Sequence, residues 1–197
     1  MTELRSLIEV ATPDMDAIAA HLDGLGHTER VRQVRTLGRR AQARLFDAAS
    51  GYRALSLTDI VPEAVPDMTP VTHLGKNTLP VLTHFAKVFA RPDDGDHSQL
   101  WGYNSSGAFV GAVVGPGYFV LHDHDVEGEL LVDYLMLPPR APAGWPAILP
   151  NSARLSRVVY YGMQDVLRGV SEHVTIGRAT KGGKNMNAWF ALCREDL

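Results

Sequence analysis

Cysteine is almost absent from this chain. Its 197 residues include only Cys193, so no internal disulfide can form and packing must stabilise the fold. The first ten residues lack the basic and apolar regions of a signal peptide. No stretch approaches the roughly 18 consecutive apolar residues of a membrane-spanning helix. We therefore predict a cytoplasmic protein with no membrane partner.

Motifs that identify common enzyme classes are also missing. The chain has neither the Gly-x-Ser-x-Gly of α/β-hydrolases nor the Gly-x-Gly-x-x-Gly of dinucleotide-binding domains. Residues 75–78 and 181–184 combine glycine with lysine, but neither stretch has the spacing of a phosphate-binding loop, and both are predicted to be turns. The sequence therefore identifies no cofactor.

Positive charge is concentrated near the start of the chain. Lysine and arginine total 19 against 22 acidic residues, so the net charge of −3 favours neither nucleic acid nor an acidic membrane. Residues 28–49 repeat apolar side chains at three- and four-residue steps and place arginines on the other faces, which predicts a long helix after a shorter one at 13–23. No aromatic residues interleave with these arginines, so nucleic acid is not a predicted partner.

The pattern changes to short, glycine-punctuated runs after Tyr52. Pro62, Pro66 and Pro70 predict an extended linker, and residues 155–170 fit either a helix or two strands at 157–162 and 165–170. The remaining runs alternate as strands do. Strands are predicted at 53–61, 79–90, 99–104, 117–122, 129–137, 174–180 and 188–194.

These elements predict one domain over residues 1–197, with a helical segment at 1–51 and a β body at 52–197. The fold class is α+β, mainly β: N-terminal helices followed by an antiparallel sheet that curls into a barrel or half-barrel. The architecture expected is lipocalin- or calycin-like, although the Gly-x-Trp signature of lipocalins is missing between Tyr52 and Val61. A helix-grip cup is the alternative if 155–170 is helical.

Polar and aromatic side chains in the middle of these runs suggest a ligand site inside the barrel. A mostly apolar pocket with a few placed polar groups is the usual form of a small-molecule site. We predict a small apolar or aromatic ligand, with Arg168 or His84 orienting its polar end. The predicted ligand-binding residues are His84, Trp101, Tyr118, Tyr134, Arg168, His173 and Trp189.

Two other functions stay open at this point. The same cup could house an enzyme that uses His84, Asp133 and His173 for acid–base chemistry, or a metal held by His122 and His124. The His-x-His pattern superficially resembles that of cupins, but the spacing from Gly117 differs and no metal site is assigned. The third hypothesis is an interaction module formed by the arginine-rich helix at 28–50. The sequence leaves the oligomeric state undetermined.

Overall fold

The computed structural model describes residues 3–79, 83–105, 115–149 and 162–197. Over these residues the body of the chain is a closed antiparallel barrel preceded by helices, which confirms the prediction of a mainly β barrel. The strands are β1 (Val71–Asn77), β2 (His84–Ala90), β3 (Gln99–Ser105), β4 (Tyr118–Asp123), β5 (Leu130–Asp133), β6 (Met163–Gly169), β7 (Val174–Lys181) and β8 (Lys184–Arg194).

Each strand pairs with the next one along the chain, and β1 pairs with β8 to close the ring. The closing register places His73 opposite Arg194 and Asn77 opposite Phe190. Closure leaves none of these eight strands with a free edge, and a free edge could otherwise pair with another chain.

The described helices lie before the barrel. They are α1 (Leu4–Ile8), α2 (Met15–Asp23), α3 (His27–Thr36), α4 (Arg39–Ala48) and α5 (Leu57–Ile60). Helix α2 confirms the prediction at 13–23, and the Asp14 side chain caps it by accepting a hydrogen bond from the Ala17 amide. The prediction of one helix over 28–49 is wrong, because Leu37 and Gly38 have extended backbone and divide it. The apolar repeat continues across this break because both helices bury their apolar side chains in the same core outside the barrel.

Two other predictions in the first half of the chain are wrong. The strand expected at 53–61 contains α5 instead, started by a capping box in which Ser56 and Asp59 satisfy each other's backbone amides. The stretch 75–78, predicted to be a turn, lies largely in β1. Gly75 is needed in this strand because a Cβ atom there would come within 2.8 Å of the Leu192 side chain.

The predicted strand at 79–90 begins only at His84, and its positions 80–82 lie outside the described residues.

The second half of the chain follows the predictions more closely. The hairpin of β4 and β5 is confirmed, with β5 shorter than expected. The hairpin of β7 and β8 is confirmed as well, and its Gly182 and Gly183 both have positive φ. The helix proposed for 155–170 is wrong over its described part, which is β6, and this removes the basis of the helix-grip alternative. Positions 155–161, including most of the proposed strand 157–162, lie outside the described residues.

Two apolar layers cover the two faces of the barrel wall. In β8, Phe190 and Leu192 belong to the interior core, whereas Ala191 and Cys193 belong to a second core outside the barrel. That outer core also contains the apolar sides of α1 to α4 and residues of β6 and β7. Cys193 is fully buried, and burial raises the pKa of its thiol to about 11.

One end of the barrel is closed by the segment 55–65, which includes α5. Ile60, Val61 and Val65 join the interior core. The segment is fixed in place by a hydrogen bond between His73 Nε2 and the Ile60 carbonyl, and by the Arg91 guanidinium, which donates to carbonyls of the same segment.

Candidate functional site

A lysine side chain is buried inside the barrel. Lys87 lies in β2 on the inward face that also carries Phe85 and Phe89, and only 1% of it is exposed. Lysine is almost never fully buried unless its charge is paired, because moving an ammonium group out of water is costly. This side chain is therefore the natural starting point for a functional site.

Three polar side chains from three other parts of the barrel surround the Lys87 amine. Its Nζ donates to Asn104 Oδ1 at 3.0 Å and to the Tyr134 hydroxyl at 2.5 Å, and it lies 3.8 Å from Asp165 Oδ2. The register of the sheet explains this meeting. Asn104 is opposite Lys87 on β3, and Asp165 of β6 is opposite Val132, two residues before Tyr134.

Aromatic rings surround the same amine. The Lys87 Nζ lies 4.7 Å from the ring centre of Phe119, 5.0 Å from that of Tyr134 and 5.1 Å from that of Phe190, with the Phe85 ring slightly farther away. Each ring face carries partial negative charge and so favours the protonated amine. The rings also exclude water, which favours the neutral amine.

Asp165 is the only acidic group that an electrostatic interaction links to this amine, within the described part of the chain. Burial raises the pKa of Asp165, while Lys87 and a hydrogen bond from Tyr134 oppose that rise. Burial likewise lowers the pKa of Lys87, and Asp165 opposes the decrease. Both groups are therefore shifted toward their neutral forms.

One oxygen of this carboxyl group lacks a partner. Asp165 is 3% exposed, and its Oδ1 makes no hydrogen bond to any residue that the structure describes. The amide of Asn104, by contrast, is fully engaged, since its Nδ2 donates to the Gly117 carbonyl and to the Tyr134 hydroxyl. An unpaired buried acceptor is costly, so this oxygen is available to a hydroxyl or amine hydrogen of a bound molecule.

The site formed by Lys87, Asn104, Tyr134 and Asp165 can do two things chemically. It offers an amine and a carboxyl group to a polar atom in a water-poor, aromatic environment. It also places an amine of lowered basicity next to a group that can give and take a proton.

Sequence reasoning had identified only Tyr134 among these four residues. Alternation along the strand predicted at 79–90 places Phe85, Lys87 and Phe89 on one face. A lysine between two phenylalanines on the same face was a usable signal. Asn104 stood at the end of a short predicted strand, and Asp165 lay in the segment whose helical or extended state was left open.

Tyr134 is also the only one of the seven predicted ligand-binding residues found inside the barrel. Trp101 and Tyr118 are buried on the outer face. Trp101 packs beneath the Arg140 guanidinium, and Tyr118 donates a hydrogen bond to the Pro146 carbonyl. Arg168 also points outward, where it donates to Glu129 Oε1 at 2.6 Å and to the Phe46 carbonyl, tying α4 to the barrel.

The other predicted residues lie far apart on the outer surface. Trp189 is on the outer face of β8 beneath Arg39. His84 is exposed at the start of β2, where it lines a groove of about 450 Å³ beside α3. His173 follows β6 at the opposite end of the barrel and lines a groove of about 770 Å³, where burial lowers its pKa.

The proposed acid–base group of His84, Asp133 and His173 is therefore not brought together. Asp133 lies on the outer face, where it accepts hydrogen bonds from the Leu135 amide and from Gln164. Because β2 starts at one end of the barrel and β6 ends at the other, the two histidines cannot share a substrate atom.

The two histidines of the metal hypothesis face different carboxylates. His122 Nε2 lies 3.9 Å from Asp133, whereas His124 Nδ1 lies 3.5 Å from Glu129 and accepts a hydrogen bond from the Val126 amide. Across the described ranges, no group of three or more histidine, cysteine or acidic side chains is arranged to hold a metal ion.

Several arginines of the segment predicted as an interaction module bind within the chain itself. Arg30 donates to the Leu22 carbonyl and to Asp196, and Arg44 donates to the Ile8 carbonyl. These contacts fix the helices to each other and to the C-terminal residues. The interaction hypothesis stays a prediction.

Comparisons of the chain with protein-family models, with curated proteins and with solved structures find no match in any of the three. None of the helices in the described ranges has the length and apolar character needed to cross a membrane. The interior of the barrel is therefore the basis on which a function is inferred.

Proposed function

We propose that this protein binds a small, mainly apolar or aromatic molecule inside the barrel, with the polar end of that molecule at Lys87 and Asp165. The observation that carries the proposal is the buried pair itself, held at 3.8 Å within a ring of aromatic side chains. The cytoplasmic location and single-domain organisation predicted from the sequence are part of this proposal.

Stability alone does not explain a buried amine and carboxyl group. Apolar residues of similar volume in place of such a pair are often neutral or stabilising, because the charges lose hydration on burial. A hydroxyl group of a bound molecule would complete the hydrogen bonding of the pair by donating to Asp165 Oδ1. Ligand binding thus gives a reason for polar groups that the barrel does not need for folding.

The number of strands in the barrel is compatible with such a ligand. Eight-stranded antiparallel barrels have an interior that either is filled by side chains or accommodates one small molecule, as in lipocalins. The lipocalin-like architecture suggested by the sequence is proposed here on strand number, strand order and closure. The interior also includes small side chains, Ala179 and Ala188, beside the aromatic ones.

The charge balance of the site favours a neutral ligand over an anionic one. Lys87 and Asp165 together carry no net charge whether or not the proton passes between them. A carboxylate ligand would add a second negative charge beside Asp165 in a poorly screened interior, which costs several kilocalories per mole. An alcohol, aldehyde or ketone avoids this repulsion.

The proposal can be tested with N-phenyl-1-naphthylamine, a neutral apolar dye whose fluorescence rises in apolar surroundings. We expect one dye to bind per chain and to be displaced by cinnamyl alcohol. Ala179→Leu places three extra carbon atoms inside the barrel and should weaken dye binding at least about tenfold, equivalent to about 1.4 kcal/mol. Lys184→Leu adds a leucine at an exposed hairpin position and serves as the matched control.

Saturable binding that is weakened by Ala179→Leu and unchanged by Lys184→Leu would support the proposal. The proposal would be rejected if the dye did not bind, or if both variants bound it as well as the original protein while remaining folded.

A further inference from the structure

We propose that Lys87 forms a reversible covalent imine with the carbonyl carbon of the bound molecule, so that the ligands of this barrel are apolar or aromatic aldehydes and ketones. This inference rests on the proposed function and specifies its ligand class. It follows from the position of the amine, the groups around it and the rarity of other lysines.

Lys87 differs in its surroundings from every other lysine of the chain. The sequence has four, and the other three, Lys76, Lys181 and Lys184, are each at least partly exposed. Lys87 alone is enclosed among aromatic rings, in a place where an apolar carbonyl compound would concentrate. Proximity of this kind converts a weak bimolecular reaction into an effectively unimolecular one.

The immediate surroundings favour a nucleophilic amine. An amine must be neutral to attack a carbonyl group, and enclosure in an apolar site is one established way to activate lysine. Burial lowers the pKa of Lys87, which acts in the same direction as the geometry. The described groups that face the amine are the neutral Asn104 and Tyr134 and the carboxyl group of Asp165.

Asp165, 3.8 Å from the amine, can move the protons that imine formation requires. The nitrogen lone pair of Lys87 forms a bond to the carbonyl carbon, and the π electrons of the carbonyl move to its oxygen. One proton passes from nitrogen to that oxygen, which gives a carbinolamine.

In the second step the carboxyl group of Asp165 protonates the carbinolamine hydroxyl, which leaves as water. The nitrogen lone pair forms the C=N bond, and the nitrogen then returns a proton to the carboxylate. The sum is one amine and one carbonyl compound giving one imine and one water. No oxidant or reductant takes part, and hydrolysis by the reverse route releases the ligand.

The test uses cinnamaldehyde as the reactive probe and cinnamyl alcohol as the unreactive probe of nearly the same shape. The full-length protein is incubated with cinnamaldehyde and sodium cyanoborohydride at pH 7.5, and the reduced adducts are mapped by peptide mass spectrometry. We expect Lys87 to be labelled at least about tenfold faster than the exposed lysines, since each pKa unit below theirs gives tenfold more neutral amine. Excess cinnamyl alcohol should suppress labelling at Lys87 only.

Two variants supply the controls. Lys87→Met should abolish the protected adduct, and Lys184→Met should leave it unchanged. Should Lys87→Met fail to fold, the double variant Lys87→Met with Asp165→Asn replaces it, because it removes both buried charges together, and it should likewise give no protected adduct.

The outcomes separate this inference from the function on which it rests. Suppressible labelling at Lys87 supports both. Binding of cinnamyl alcohol without any adduct at Lys87, or with adducts only at exposed amines, overturns the covalent step and leaves ligand binding intact. Absence of binding by both probes overturns the two together.

Discussion

Substituting each member of the Lys87–Asp165 pair should destabilise the protein with opposite dependence on pH. In Lys87→Met, the buried Asp165 loses the only ammonium partner that the described residues give it. It must then be protonated in the folded state. Holding a carboxyl group of ordinary pKa 3.9 protonated at pH 7 costs about 4 kcal/mol, at about 1.4 kcal/mol per pH unit.

The sign of the effect follows from which state binds more protons. In Lys87→Met the folded state holds a proton on Asp165 that the unfolded state releases above pH 4, so stability falls as pH rises from about 4 to 7. In Asp165→Asn the folded state keeps Lys87 neutral while the unfolded state binds a proton below about pH 10.4. Its stability therefore rises as pH increases from 7 toward 10, and its loss at pH 7 is about 5 kcal/mol at most.

The double variant Lys87→Met with Asp165→Asn removes both charges and should be within about 1 kcal/mol of the original protein. Urea unfolding followed by circular dichroism at pH 5, 7 and 9 measures all four proteins. If the losses of the two single variants simply added in the double variant, or if both single variants had the same pH slope, the pair would not be a coupled buried pair.

Three further predictions concern the frame around the site. Arg168→Met should cost about 3 kcal/mol in urea unfolding, because it leaves the buried carboxylate of Glu129 without its 2.6 Å partner. Gly177→Ala should cost about 1–3 kcal/mol in thermal or urea unfolding, since its Cβ would lie 2.2 Å from the Phe190 ring. Burial lowers the pKa of His73 to about 3, so the neutral ring stabilises the fold above pH 6.5, and up to about 5 kcal/mol of stability should be lost between pH 6.5 and 3. In His73→Gln, urea unfolding at several pH values should show a smaller loss of stability between pH 6.5 and 3.

Matched substitutions serve as controls for these three predictions. Arg5→Met removes an arginine whose ion pair is exposed and should change stability by less than about 0.5 kcal/mol. Gly26→Ala adds a Cβ where no atom lies within 4 Å and should have a similarly small effect. The reasoning would be contradicted if a control lost as much stability as the Arg168 or Gly177 variant. It would also be contradicted if the stability of His73→Gln fell between pH 6.5 and 3 as steeply as that of the original protein.

The barrel could be predicted from the sequence because its last strands alternate clearly. Residues 188–194 place Phe190 and Leu192 on one face and Trp189 and Ala191 on the other, and paired glycines mark the turn before them. Strand β1 was missed because prolines precede it and Gly75 interrupts it. That glycine is explained only by the Leu192 side chain, which comes from the far end of the chain.

The candidate site was harder to predict for two physical reasons. Alternation shows that two faces exist but does not show which is inside, and here α1 to α4 bury the outer face of β6 to β8 as well. Large aromatic residues such as Trp101 were therefore assigned to the interior although they pack outside. In addition, Lys87 and Asp165 are separated by most of the sheet in sequence, and only barrel closure brings them together.

The most direct measurement of ligand binding at Lys87 is a nuclear magnetic resonance titration of protein labelled with ¹³C at the lysine ε-carbons. The chain has four lysines, so each can be followed by its own signal as cinnamyl alcohol is added. We predict a saturable shift of the Lys87 signal alone, caused by the aromatic ring of the probe beside the amine. A Lys87 signal that stays in place while the alcohol binds elsewhere, or that shows no response at any concentration, would contradict a ligand site inside the barrel.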